Sequence, residues 1–230
     1  MKTKLLPTYL PTYLPTYLFL FLMFTSFNLF GQVKEHEIKL RDKKGNPSLI
    51  NFKETRVANQ TQSVRSFLKK QFKADDKSEF RPSVNLVRVK KTNAESQNFH
   101  QYYNGIKVEH GRLNALSKNG NLTKVVGKYV DIKNLSITPQ LTEQQALNFA
   151  LQHINAEMYA WEDKNFEEFL KKEKKDTNAS FFPKGELVIV EKDMWSDKPM
   201  PRLAYKFNIY TIQPQSRANY YLPFRNSSRS

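Results

Sequence analysis

The chain has 230 residues, 39% hydrophobic and 26% charged, with a formal net charge of +15 and no cysteine. That balance excludes a disordered polar chain, and the absence of cysteine excludes disulfides, thiolate metal sites and a cysteine nucleophile. The basic residues are scattered: Lys69-Lys70, Lys90-Lys91 and the mixed run KKEKK at 171–175 read as solvated faces, not as a specific nucleic-acid site.

Residues 1–31 read as a secretory signal peptide. Lys2 and Lys4 supply the positive start, LFLFLMFTSFNLF at 18–30 the apolar stretch, and Gly31 a small residue before the cleavage point. A transmembrane anchor is the competing reading, but the dense apolar run is short for a span of about 20 residues. PTYL occurs three times in tandem between residues 7 and 18, and proline at every fourth position opposes a helix there. With the leader removed, 35 basic residues face 22 acidic ones, or +13. Such a surface suits nucleic acid, anionic lipid or an acidic protein partner.

Residues 32–60 are polar with weak β patterning, broken by a turn signal, KKGNPS, at 43–48. Val64, Phe67, Leu68 and Phe72 then recur at helical spacing and predict a short amphipathic helix. SVNLVRVKKT at 83–92 predicts a strand with a bulge, and residues 98–103 a second strand. Four of the chain's seven glycines follow within a short patch: Gly105, Gly111, Gly120 and Gly127. Asn104-Gly105 and Asn119-Gly120 are strong hairpin signals, because a type I′ turn needs positive φ at both central residues. Gly111 and Gly127 fall within strand patterns and predict bulges or close backbone approaches.

A second unit begins at Ile137, where Pro139 breaks the preceding strand. Thr142 is placed to cap a helix, with Gln145 completing a capping box. Leu147, Ala150, Leu151 and Ile154 form its apolar face, and the pattern extends through Met158 and Trp161. NFEEFLKKEKK at 165–175 predicts a further short helix; ELVIVEK at 186–192, RLAYKFNIYTI at 202–212 and ANYYLPF at 218–224 predict strands.

No catalytic constellation emerges. His36, His100, His110 and His153 lack the spacing of a zinc-binding helix, and there is no H-E-x-x-H, G-x-S-x-G, P-loop or G-x-G-x-x-G. His100 and His110 lie in adjacent predicted strands, but two histidines without a third ligand make a weak site. The acid pairs Asp75-Asp76 and Glu167-Glu168 read as helix-capping or solvated groups.

The patch FHQYYNGIKVEHGRLNALSKNGNLTKVVGKYVD at 99–131 resembles the core of the fungalysin/thermolysin propeptide domain. The residues that carry the likeness are Gln101, Tyr102, Asn104, Gly105, Ile106, Val108, Gly111, Asn119, Gly120, Leu122 and Gly127. LSITP at 135–139 with the helix capped by Thr142 resembles the junction to a PepSY-like half, and residues 202–222 resemble its late strands.

The resemblance implies an α+β fold of two small lobes, each an antiparallel sheet packed with a helix, in the cystatin-like/PepSY-like manner. It divides the chain into a signal peptide at 1–31, a fungalysin/thermolysin propeptide-like domain at 32–136, a PepSY-like propeptide domain at 137–222 and a divergent tail at 223–230. It implies a secreted or periplasmic propeptide module that inhibits a thermolysin-like zinc metallopeptidase and assists its folding. The partner is that peptidase domain, in cis in relatives and in trans in principle. No cofactor is implied for this chain, since zinc belongs to the catalytic domain. No specific nucleic acid is implied, and the membrane enters only through the signal peptide during export. The expected role is binding, not catalysis. The sequence ends without a zinc domain, which raises the expectation of a truncated or frameshifted precursor. A standalone secreted inhibitor or binding module of PepSY/cystatin-like type is the alternative. The motif residues, Thr142 included, are expected to define the fold, and the peptidase-contacting residues are unknown from sequence.

Overall fold

Period-two burial organises the middle of the molecule. Phe99, Gln101 and Tyr103 turn inward along one strand, and Leu113, Ala115 and Ser117 along the next, as expected of a sheet with one covered face. The computed structural model describes residues 36–52, 61–192 and 200–224. The predicted leader, with its PTYL repeats, and most of the predicted tail lie outside the described residues.

The chain opens with a hairpin, β1 (His36–Arg41) and β2 (Pro47–Phe52). The Asp42 carboxylate closes its turn by accepting from the Lys44 and Asn46 N–H groups at 2.9 and 2.8 Å, the local bonding that favours Asp at turns. Helix α1 (Thr61–Phe72) buries Val64, Leu68 and Phe72. The antiparallel meander β3 (Ser78–Val89), β4 (Ala94–Tyr103), β5 (Ile106–Lys118) and β6 (Asn121–Lys128) follows. Helix α1 packs over these strands in a core with Ile50, Phe80, Phe99, Leu113, Leu122 and Val125. Phe72 stacks on Tyr129 at 4.8 Å between ring centroids.

β3 and β4 are both longer than the sequence pattern indicates. A 3-10 turn, Lys90–Thr92, with Asn93 at φ 48° reverses the chain within a few residues, so β4 begins at Ala94. The bulge predicted in β3 lies between Pro82 and Leu86. The Gln97 amide stitches it by donating to the Ser83 carbonyl at 2.8 Å.

An extended stretch carrying buried Val130 and Ile132 leads to helix α2 (Glu143–Ile154). The boundary expected at residues 136 and 137 falls in this stretch. Thr142 and Gln145 form the full capping box. The helix stops at Ile154 instead of running on through Met158 and Trp161. Asn155 takes the left-handed conformation at φ 48° and donates to the Leu151 carbonyl, which ends the helix. Met158–Tyr159 forms the short strand β7, and Trp161 stacks on Tyr159. Helix α3 (Lys164–Lys174), capped by Asp163, precedes β8 (Glu186–Lys192), β9 (Met200–Gln213) and β10 (Ser216–Pro223). The Gln213-Pro214 peptide bond is cis. Helix α2 buries Ala146, Leu147 and Ala150 against Phe207 and Ile209 of β9. The chain stays in the fold beyond Leu222: Phe224 is buried, and its N–H donates to the Leu203 carbonyl at 2.9 Å.

The fold is therefore α+β, with three helices among the described residues and a mixed sheet. β5 is the hub. Its C-terminal part pairs with β6, and on the same side its first residues pair in parallel with β8 through Lys107↔Val188 and Val108↔Ile189.

Gly120 lies at φ +79° with no atom within 4 Å of where a Cβ would stand, so a side chain there meets a backbone penalty and no clash. Gly120→Val is expected to lower stability by about 1–3 kcal/mol, read from a urea or thermal melt; a melt identical to the parent contradicts the turn.

Candidate functional site

The motif residues gather around one irregularity in β5. His100 pairs with Arg112 and Tyr102 with Lys107, so residues 108–111 form a wide bulge opposite Gln101 alone. Gln101 is 1% exposed. Its side-chain amide reaches across the bulge and pairs twice with the Val130 backbone: Nε2 donates to the Val130 carbonyl at 2.7 Å, and Oε1 accepts from the Val130 N–H at 2.9 Å. A side chain thus takes the place of a strand backbone just where β6 has ended. Burial of a peptide group without such partners costs about 1–3 kcal/mol per group.

Gly111 makes room for this amide, since a Cβ there would stand 2.7 Å from Gln101 Oε1. Gly127, at φ +142°, lies against the Arg112 carbonyl and leaves no space for a Cβ. Asn104-Gly105 and Asn119-Gly120 turn the chain at the two ends of β5, with φ of 47° and 79°, then 50° and 79°. Val108 is buried in a second core with Tyr103, Val130, Ile132, Ile189 and Leu203. Tyr102 lies under the Arg81 guanidinium, 4.2 Å from its ring centroid. Thr142 stands apart from this constellation, at the start of α2.

Two charged clusters flank the bulge, and neither is visible as a sequence motif. Glu109, within the bulge, accepts from Lys206 Nζ at 2.5 Å and from the Tyr221 hydroxyl at 3.0 Å. Burial pushes the Glu109 carboxyl up. The hydrogen bonds from Lys206 and Tyr221, helped by the charges of Lys206 and Lys107, outweigh that and hold it below its ordinary value. Burial and the Glu109 charge together push the Tyr221 hydroxyl up to about 12. On β8, the nearly buried Glu191 carboxylate takes Lys128 as an ion-pair partner, with Lys44 at 3.3 Å. These contacts tie β1–β2, β6, β8, β9 and β10 to the neighbourhood of β5. The only signal for them in the sequence is acid in otherwise apolar or alternating strands, VEHG and VIVEK.

Among the described residues no group of three or more His, Asp or Glu side chains could hold a metal ion. His100 pairs across the sheet with Arg112, while His110 is exposed within the bulge. Burial, with the charges of Lys107 and Arg112, lowers the His100 pKa. Of the acid pairs, Glu167 accepts from the Phe181 N–H at 2.7 Å and Asp76 approaches Lys69 at 3.8 Å, both structural contacts. No helix among the described residues is long and apolar enough to cross a membrane.

Residues 85–129 match the Fungalysin/Thermolysin Propeptide Motif. The motif runs from the bulge of β3 to Tyr129, one residue short of Val130, and so contains the whole of β4, β5 and β6 with Gln101, Gly111 and Gly127. It points to a propeptide of a thermolysin-like or fungalysin protease precursor. No curated protein matches the chain.

Two substitutions test this geometry. Gln101→Leu keeps the volume but orphans the Val130 N–H and carbonyl, at about 1–3 kcal/mol for each group left without a partner; a denaturation midpoint equal to the parent's would contradict the pairing. The second concerns acid stability. A carboxyl held below its unfolded value stabilises the fold above that value, about 4.3 for Glu, and loses the contribution as pH falls through the folded one. Glu109→Gln should therefore be less stable than the parent at neutral pH, and the gap should close between about pH 4.3 and lower pH. Parallel stability–pH curves would remove Glu109 from the acid limb.

Proposed function

We propose that this chain is the propeptide module of a secreted thermolysin-like zinc metallopeptidase precursor, and that it inhibits the peptidase and assists its folding. The observation that carries the reading is the propeptide motif at 85–129, coincident with the strands that the Gln101–Val130 pairing holds in register. Propeptides with this motif associate with their own protease domain. The role is one of binding. A module that binds the native peptidase and not its unfolded chain stabilises it by linkage, and one that covers the cleft excludes substrate. The charge of +13 without the leader suits an acidic peptidase surface.

In this reading the segment at 137–222 is the PepSY-like second lobe. Support comes from the packing of α2 on β9, which parallels the packing of α1 on the meander. The basic, apolar start of the sequence is the export signal, which places the product outside the cytoplasm.

The test is inhibition in trans. The full chain is expected to inhibit a thermolysin-type zinc peptidase stoichiometrically and to leave serine proteases untouched, in a steady-state assay with a fluorogenic peptide. Raising ionic strength from about 0.01 M to about 1 M shortens the Debye length from about 30 Å to about 3 Å and should slow association. Equal inhibition of both protease classes, or of neither, overturns the reading; inhibition indifferent to salt removes its electrostatic part.

A further inference from the structure

β3 pairs with β4 and with no other strand, so it forms an open edge of the sheet among the described residues. Beyond its bulge, Leu86–Val89 pairs residue by residue with Ala94–Gln97 on one side. Alternate N–H and carbonyl groups on the other side face outward. Open edges in stable proteins are shielded by charge, proline or short length. Here the four residues include Leu86, Val87 and Val89, which are 37%, 57% and 50% exposed, and the neighbouring Val84 is fully exposed. The one charge, Arg88, is already engaged by Glu95 at 2.7 Å.

The two faces of this edge differ. Leu86 and Arg88 line a groove of about 220 Å³ beside α1, whose floor includes Val64, Ala115 and Leu122. Val87 and Val89 project from the opposite face. Within residues 83–97 and 114–126, Arg88, Lys90, Lys91, Lys118 and Lys124 stand against Glu95 as the sole acid; Lys90 and Lys91 directly follow the edge strand, while Lys118 and Lys124 lie two and three strands inward on β5 and β6. Lys90, Lys91, Lys118 and Lys124 form no ion pair with a described residue.

We propose that the open edge of β3 at Leu86–Val89 is a docking site for an extended segment of the peptidase partner that carries alternating apolar and acidic side chains. Main-chain hydrogen bonds extend the sheet by one strand. The apolar side chains of the docked segment lie along the groove, and the acidic ones project on the other face, which Val87 and Val89 share with Lys118 through the pairing of Val89 with Ala94 and of Ala94 with Lys118. The acidic side chains meet the surplus of lysines. A second copy of this chain fits less well, because edge-to-edge pairing would bring the same lysines together. The owner of the docked strand rests on the function proposed above; the site itself rests on the edge.

The experiment uses the full chain and fluorescein-labelled, end-blocked eight-residue peptides, read by anisotropy. A peptide alternating valine and glutamate is expected to bind at least ten-fold more tightly than one alternating valine and lysine. Methylating alternate backbone nitrogens of the acidic peptide should abolish binding. The double variant Val87→Glu/Val89→Glu should weaken it ten-fold or more with an unchanged melting temperature, since both side chains are exposed. Equal binding of the lysine peptide, of the methylated peptide or by the double variant overturns the site. So does sedimentation showing a dimer of the parent that the double variant dissociates. The same variant is then tested as a peptidase inhibitor. Inhibition weakened ten-fold supports the assignment of the partner, whereas undiminished inhibition overturns it and spares the inhibitor reading. If the parent itself fails to inhibit, the inhibitor reading falls, and the peptide series alone decides whether the edge accepts a strand.

Discussion

The pairing of the Gln101 amide with the Val130 backbone is the contact on which the rest of the sheet depends. β6 ends at Lys128 and β8 meets β5 only at Lys107 and Val108, which leaves a gap along that side of β5. Buried backbone groups in such a gap need partners. The Gln101 side chain offers a donor and an acceptor at the spacing of a peptide group, and it meets both needs at Val130. The glycine at 111 follows from this choice, because the amide occupies the volume a Cβ would take.

Charge completes what the amide begins. Glu109 and Glu191 are the acids nearest the gap, each nearly buried and each met by lysine from another part of the sheet. Removing one partner of such a pair is costlier than the pair is worth, because the remaining charge is left desolvated. These clusters join Lys44, Lys128, Lys206 and Tyr221, from separate parts of the chain, to the strands beside the gap. Hydrophobic burial supplies the bulk of the stability, through α1 on one part of the sheet and α2 on another.

Local chemistry made much of this legible in the sequence. Asn-Gly at 104–105 and 119–120 fixes its turns by backbone sterics alone, and Thr142 with Gln145 caps α2 through bonds spanning three residues. Apolar spacing located α1 for the same reason. The end of α2 was hidden because Met158 and Trp161 prolong the helical pattern; the deciding residue, Asn155, acts through its tolerance of positive φ. The partners of Gln101, Glu109 and Glu191 were hidden more deeply. Val130, Lys206, Tyr221, Lys44 and Lys128 are distant in the chain, and no local pattern announces which lysine a buried acid will meet.

The parallel contact between β5 and β8 also shapes how the molecule assembles. Lys107 and Val188 are about 80 residues apart, whereas every strand of the meander meets its neighbour across a short turn. Closing a long loop costs entropy before any contact repays it, so hairpins precede distant pairings. Contact order therefore favours a meander that closes ahead of the strands after α3. Order of synthesis agrees with this: the meander leaves the ribosome able to pair all its own strands, and β8, β9 and β10 emerge later to meet the first residues of β5, on the side where β6 does not reach.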